Sequence, residues 1–324
     1  LIVTRVHFFG TYFEYVFPIV VAGAVIILTG LIDDVRELAP LPKLLGILFA
    51  ALIIWFFTDF HFDSFKIPFG GPLLVFPTWL AFCLTVLWIV AITNAINLID
   101  GLDGLVAGVS IISLLTMGIV SYFFLYDSNI FLSLTIFVLV AAIAGFLPYN
   151  YHPAIIYLGD TGALFIGFMI GVFSLQGLKN STAVAVVTPI IILGVPITDT
   201  VVAIIRRKLS GQKIYEADRM HLHHRLLSLG LTHRGTVLVI YAISFIFSLT
   251  SLLLNISSQA GGVLLVVSLA LGVEILCELI GIFGENRTPV LNLLRFIGNS
   301  SYRQEMIAKR KTKRSDSQDT KEKN

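Results

Sequence analysis

The sequence predicts an all-α protein, a polytopic bundle of transmembrane helices. Three observations carry that expectation. Of 324 residues, 56% are hydrophobic and only 13% are charged. The mean hydropathy of +0.91 lies far outside the range of soluble domains. Apolar runs approaching the ~20 helical residues that cross a hydrocarbon layer of ~30 Å recur along the chain.

These runs lie at about 16–32, 43–58, 77–96, 104–126, 130–147, 161–178, 183–203, 236–255 and 261–282, which makes nine spans. Within the seventh, Pro189 and Pro196 each remove a backbone hydrogen bond and predict a kinked or broken helix. Cys83 and Cys277 both sit in apolar runs, which argues for packing and against a disulfide framework or a thiolate metal site. The chain opens on Leu1, with no initiator methionine and no charged segment before a cleavage site, so an N-terminal part is expected to precede it. Residues 1–284 are read as a multi-span membrane domain and residues 285–324 as a basic, disordered tail.

Lysine and arginine set the orientation. If the chain enters the cytoplasm after the first span and then alternates, that side receives Arg36, Lys43, Arg206, Arg207, Lys208, Lys213, Arg219, Arg225, Arg234 and the basic tail, including Lys309-Arg-Lys-Thr-Lys-Arg314. Between the spans, the opposite side receives Lys66 and Lys179. The positive-inside rule therefore puts the tail in the cytoplasm of a multi-pass plasma-membrane protein. By the same alternation Asp33, Asp34, Asp100, Asp103, Asp160 and Asp199 all fall at the cytoplasmic face. Scattered acids would divide between the two sides, so this gathering reads as a site.

Its centre is Asn94-Ala-Ile-Asn-Leu-Ile-Asp-Gly-Leu-Asp-Gly-Leu105. Asn94, Asn97, Asp100 and Asp103 recur every three residues, which on a helix makes one slowly rotating polar stripe with Asp100 beside Asp103. A carboxylate at the membrane edge is costly and points to function. Gly101 and Gly104 remove bulk where a phosphate, a metal or a second backbone can approach. Asp33 and Asp34 place adjacent hard oxygen ligands at a helix end, a pattern suited to Mg²⁺, which takes one or two carboxylates plus substrate phosphates. Lys43 nearby is either an interfacial anchor or a phosphate partner.

Gly159-Asp160-Thr161-Gly162 precedes an apolar helix, so backbone amides that suit an anion lie beside a carboxylate. Asp160 or Thr161 could also simply cap that helix. The longest internal cytoplasmic loop carries Asp218-Arg-Met-His-Leu-His-His-Arg225. Three histidines in four residues invite zinc, but a structural site wants four defined ligands and no cysteine is near. Phosphate or nucleotide binding by His221, His223, His224 and Arg206 fits better. The outer loop at about 59–76 is read as a connection only.

Taken together, Leu31-Ile-Asp-Asp34, the Asn94–Leu105 stretch, Pro148-Tyr-Asn-Tyr-His-Pro153, Leu158-Gly-Asp-Thr-Gly162 and His221-Leu-His-His-Arg225 resemble, in order, the motifs of the MraY/WecA family of polyprenyl-phosphate N-acetylhexosamine-1-phosphate transferases. The likeness extends over nearly the whole chain. Asn94-Ala-Ile-Asn-Leu-Ile-Asp and His221-Leu-His-His lie closer to the WecA/TagO branch than to MraY.

The resemblance implies Mg²⁺-dependent transfer of GlcNAc-1-phosphate from UDP-GlcNAc to undecaprenyl phosphate, with release of UMP, at the start of teichoic acid or related cell-wall polymer synthesis. Mn²⁺ is an alternative ion. It implies that Asp33 and Asp34 bind metal or deprotonate the lipid phosphate. Asp100, Asp103, Asn97 and Asn150 would then serve the catalytic and nucleotide motifs, with Asp160 on the metal, Asp100 as a second metal candidate, and the histidines by the nucleotide. Asn94, Lys43 and Arg206 complete the substrate-binding candidates.

The resemblance implies eleven spans as the usual number against the nine counted, so the first two and their basic loop are expected to be those missing from the sequence. The expected partners are a UDP-sugar, undecaprenyl phosphate and the bilayer, with no nucleic acid; a homodimer is left open. The alternative within the family is the phospho-MurNAc-pentapeptide transferase of peptidoglycan synthesis. Outside it, a secondary transporter would place its site near the midplane and show an internal repeat, and neither feature is visible. A membrane scaffold would not need six acids on one face.

Overall fold

A computed structural model describes residues 2–66, 72–124, 130–179, 183–209, 221–281, 288–299 and 303–304. The elements in order are α1 (Ile2–Arg36), α2 (Pro40–Phe57), β1 (Ser64–Lys66), β2 (Leu73–Val75), α3 (Thr78–Leu98), α4 (Leu105–Phe124), α5 (Ile130–Asn150), α6 (Gly159–Lys179), α7 (Ala183–Ile192), α8 (Gly194–Leu209), α9 (Leu222–Ser228), α10 (His233–Ile256), α11 (Gln259–Ile280) and α12 (Pro289–Gly298). The protein is all-α apart from β1 and β2, which pair antiparallel with Phe65 opposite Leu74 inside the expected outer connection.

Among the described residues, seven helices are long and apolar enough to cross a membrane: the Val16–Arg36 part of α1, α2, α3, α4, α5, α10 and α11. The protein is therefore a multi-pass membrane protein. The sixth expected span is α6, whose Gly159–Leu175 stretch is a shorter apolar helix. The seventh is two helices, α7 and α8, which meet at Leu193 between the two prolines. The backbone still bonds across the break, Leu193 N–H to Pro189 O and Ile197 N–H to Leu193 O, each at 3.0 Å. That continuity explains how the segment bends without exposing polar groups to lipid.

Residues Leu1–Val266 and Val267–Asn324 form separate compact units. In the first, α6 is the central post. It packs against α1, α3, α4 and α7, and Leu164, Phe168 and Ile170 are fully buried. A helix apolar on all sides belongs inside a bundle. The approach is close because small residues permit it: a side chain at Gly30 would meet the Thr161 backbone at 2.4 Å, and one at Gly167 would meet Thr93 O at 2.9 Å. Phe49, Phe56, Leu87, Val138 and Phe245 are exposed around the bundle, as expected of lipid-facing positions.

In the second unit, buried Glu278 accepts the N–H groups of Val290 and Leu291 at 2.7 Å each. It thereby satisfies two of the donors that the start of α12 leaves open. Within the 285–324 segment expected as a tail, Pro289–Gly298 is thus helical.

Candidate active site

The acids meet where α1, α2, α3 and α6 end on one side of the bundle. α1 stops through a left-handed residue, Glu37 at φ +45°. Its N–H returns to Asp33 O at 2.8 Å, and the next N–H, of Leu38, is accepted by the Asp33 carboxylate at 2.7 Å. This double anchorage buries Asp33 to 4% exposure. Its other oxygen forms an ion pair with Lys43 at the start of α2.

Asp34 points the other way, into the first turn of α6. It accepts the Asp160 N–H at 2.7 Å, the Thr161 N–H at 3.1 Å and the Thr161 hydroxyl at 2.5 Å. The anion expected at this helix N-terminus is therefore a carboxylate of the chain itself. Gly159, at φ +66°, makes the contact possible, since a side chain there would come 2.9 Å from Asp34 Oδ2.

Asp160 in turn reaches α2 and α3. Its Oδ1 accepts from Lys43 Nζ at 2.8 Å and Asn97 Nδ2 at 2.7 Å. Lys43 thus stands between Asp33 and Asp160 as a positive charge where two carboxylates converge.

The polar stripe does not continue as a helix. α3 ends at Leu98, and Asp100 and Asp103 lie in a tight loop that closes at Gly104, φ +79°. The expectation of helical neighbours at these positions is corrected: the two glycines that follow the acids turn the chain. The Asp100 N–H donates to Asn97 O at 3.2 Å, but its carboxyl has no hydrogen-bond partner among the described residues. Burial, then the charges of Asp160, Asp103 and Asp34, push its carboxyl up to about 7. Asp103 goes the other way: burial opposes ionisation, but His152 Nδ1 at 2.8 Å and the Ala154 N–H at 3.2 Å hold its carboxyl below the usual range.

The remaining candidates separate into those the structure brings to the acids and those it does not. Asn97 is at the site. Asn94 donates back to Val90 O at 2.8 Å, one turn earlier on its own helix. Asn150 is a brace: its Oδ1 accepts from Gly104 N–H at 3.1 Å and its Nδ2 donates to Ile156 O at 3.0 Å, joining the two loops. Arg206 lies in the last turn of α8.

His221, His223 and His224 sit at and after the start of α9. His221 Nδ1 pairs with buried Asp199 Oδ2 at 2.9 Å, and Asp199 Oδ1 accepts the Leu222 N–H at 2.9 Å. His223 packs against Gly101, where a side chain would strike its Nε2 at 2.2 Å. Burial, then the neighbouring His224, drives its imidazole down to about 4. His224 is exposed, with its ring 4.1 Å from that of His223. Asp218, Arg219 and Lys213 lie outside the described residues.

The loop at Asp100–Gly104 thus touches the histidine motif on one side and the α5–α6 loop on the other. The pairings of Asp199 with His221, of Asp103 with His152 and of His152 with His233 are not legible in the sequence, because the partners lie far apart along it.

The glycosyl transferase family 4 model matches residues 16–178, which contain Asp33, Asp34, Asn97, Asp100, Asp103 and Asp160. A Bacillus subtilis protein is 43% identical over 282 residues, covering 86% of this chain and 77% of that protein; it is described as a probable undecaprenyl-phosphate N-acetylglucosaminyl 1-phosphate transferase. The chain belongs to glycosyl transferase family 4. Within this family, which is the MraY/WecA family of the motifs above, it falls in the WecA-like branch.

The decaprenyl-phosphate N-acetylglucosaminephosphotransferase of Mycolicibacterium smegmatis is 36% identical over 241 residues, 69% of this chain and 59% of that protein. The undecaprenyl-phosphate alpha-N-acetylglucosaminyl 1-phosphate transferase of Salmonella typhi is 27% identical over 225 residues, 68% and 60% of the two chains. The family 4 chain therefore spans about three fifths of these last two relatives and more of the Bacillus one.

Proposed function

We propose that this family 4 protein transfers GlcNAc-1-phosphate from UDP-GlcNAc to undecaprenyl phosphate, giving undecaprenyl-diphosphate-GlcNAc and UMP. The observation that carries the reading is Asp100: a carboxyl without a hydrogen-bond donor among the described residues, raised to about 7 by burial and by the charges of Asp160, Asp103 and Asp34. Such uncompensated negative charge suits a divalent cation and the phosphates it brings. The relatives' names supply the substrates: a sugar-nucleotide donor and a polyprenyl-phosphate acceptor.

Mg²⁺, or Mn²⁺ in its place, fits the donor set. Asp160 and Asp100 would hold it, and Lys43 already places a positive charge between Asp33 and Asp160. When bound, the ion neutralises phosphate charge and stabilises the departing UMP. The chain's residues do the rest. Asp34 fixes the first turn of α6 and so aims Asp160. Asn97 and Lys43 hold the Asp160 carboxylate in one orientation. A phosphate monoester has its second pKa at about 6, so the lipid phosphate is largely a dianion at neutral pH and needs charge neutralisation more than a strong base. One of its oxygens forms a bond to the sugar-bearing phosphorus as the bond from that phosphorus to the UMP oxygen breaks.

His221, held by Asp199, with His223 and His224, lies by the nucleotide in this reading, and Arg206 supplies a further cation. The apolar helices accommodate the prenyl chain. The site and the C-terminal tail lie on the cytoplasmic side of the plasma membrane, supported by the distribution of lysine and arginine, and the product feeds synthesis of teichoic acid or a related wall polymer.

The test is UMP release by purified full-length protein in detergent with Mg²⁺, undecaprenyl phosphate and either UDP-GlcNAc or UDP-MurNAc-pentapeptide. Release with UDP-GlcNAc that depends on the lipid supports the reading. No release, or equal release without lipid phosphate, overturns it.

A further inference from the structure

The second compact unit ends in a short helix whose apolar side is uncovered. α11, with 22 residues, is long and apolar enough to cross the membrane. It stops at Gly281, in the left-handed region at φ +69°, whose N–H returns to Glu278 O at 3.1 Å. A helix end leaves carbonyl groups open, and acyl chains cannot satisfy them. The end of α11 therefore lies at the boundary between acyl chains and headgroups. Glu278 belongs to that last turn, and its carboxylate accepts the N–H groups of Val290 and Leu291. The first turn of α12 is thus tied to the boundary.

α12 has ten residues, about half of what a span requires. At about 3.6 residues per turn, Leu293, Leu294, Phe296 and Ile297 share one broad arc, whereas Asn292 and Arg295 share a narrow one that Asn299 continues. All four apolar side chains are exposed, Leu293 at 57% and Ile297 at 64%. Four large apolar groups together on one side of a helix need a partner. Depth, length and two-sidedness suit a helix that lies in the plane of the membrane surface. Charge specifies the lipid: residues 285–324 carry ten lysines and arginines against five acids, which favours anionic headgroups.

We propose that α12 is an interfacial helix for anionic phospholipid, with Leu293, Leu294, Phe296 and Ile297 seated among the upper acyl chains and Arg295 pairing with lipid phosphates. Through Glu278 this seat also fixes the end of α11 at the membrane boundary.

The experiment needs no turnover, so its failure is distinct from failure of the transferase reading. In the full chain, Cys83→Ser removes the exposed thiol, while buried Cys277 stays as the labelling background. Leu294→Cys, Ile297→Cys and Asn299→Cys are then introduced singly, spin-labelled and reconstituted in nanodiscs of phosphatidylcholine with or without phosphatidylglycerol. Collision with oxygen, which partitions into lipid, is compared with collision with a water-soluble nickel chelate. The expected result with phosphatidylglycerol is an oxygen-to-nickel ratio several-fold higher at 294 and 297 than at 299, placing the first two labels ~5–10 Å inside the headgroup boundary. Without phosphatidylglycerol, or at high salt, the labels should move outward, and Arg295→Gln should shrink that response. Labels at 294 and 297 open to nickel overturn the proposal, because the helix then stands in water. Shielding from both reagents overturns it too, because protein, from the first unit or a second copy, then covers the arc. Equal depth in the two bilayers removes the anionic lipid. If Leu294→Cys does not melt like the parent, Leu293→Cys takes its place.

Discussion

The Asp34 carboxylate accepts the backbone N–H of Asp160 at 2.7 Å, with the Thr161 N–H and hydroxyl on its second oxygen. Both oxygens are thus committed to the start of α6. Of the two adjacent aspartates, Asp34 positions Asp160, while Asp33 answers Lys43.

That division of labour predicts how Asp34 variants behave. Asp34→Ala should lower the stability of metal-free protein by about 1–2 kcal/mol, the scale of a lost helix cap, and reduce turnover as well. Asp34→Asn, whose amide oxygen still accepts one N–H, should recover part of the stability. Thermal melting in detergent without divalent ions is the measurement. An unchanged melting temperature in Asp34→Ala would show that Asp34 does not support α6.

Asp160→Asn addresses the metal. The amide keeps an oxygen for Lys43 and Asn97, so the fold should survive, but it lacks the charge needed to hold Mg²⁺. Turnover should fall by at least ~100-fold, as for loss of one preorganised electrostatic group, without recovery at high Mg²⁺. Near-normal activity in a variant that melts like the parent would remove Asp160 from the metal.

The legibility of this site in the sequence divides along a physical line. The apolar runs, the proline break and the clustering of acids at one face are local patterns, and each is present in the structure as α-helix, as the Leu193 junction and as the convergence of Asp33, Asp34, Asp100 and Asp160. The period of three in Asn94–Asp103 was equally local but misleading, because periodicity does not weigh the cost of carrying Gly101 and Gly104 through a helix. The pairings that organise the site are not local. Asp103 and His152 are 49 residues apart, Asp199 and His221 are 22 apart, and Asp34 meets Asp160 across 126. No pattern along the chain encodes such partners.

The pH dependence of stability contains two opposed contributions. Asp100 titrates at about 7 in the folded protein against 3.8 when free. The folded state therefore holds a proton that the unfolded chain has released, and this contribution is full below about 4 and lost as the pH rises through 7. His223 titrates at about 4 against 6.5. Its contribution is present above 6.5 and lost as the pH falls through 4. In metal-free protein, Asp100→Asn should gain melting temperature over the parent as the pH is raised from 5 to 8. Added Mg²⁺ should erase the difference by stabilising the ionised carboxylate. His223→Gln should show the reverse trend, its deficit against the parent shrinking as the pH falls. Parallel profiles for parent and Asp100→Asn would sink this assignment.

The contact between Gly101 and His223 couples the aspartate loop to the histidine motif, and it supplies the most selective test of the nucleotide assignment. A Cβ on residue 101 would lie 2.2 Å from His223 Nε2 and 2.7 Å from its Cε1. His223 is only 3% exposed, so the ring cannot swing away without moving α9. Gly101→Ala should therefore displace α9, which begins at the Asp199–His221 pair, and leave the Asp34–Asp160 contact at the far side of the acids intact. If α9 lies by the nucleotide, the variant should raise KM for UDP-GlcNAc by ~10-fold or more, a loss of ~1.4 kcal/mol or more, with KM for undecaprenyl phosphate little changed. Steady-state kinetics with each substrate varied in turn separates the two. A rise confined to the lipid KM would move the histidine motif to the acceptor side of the site.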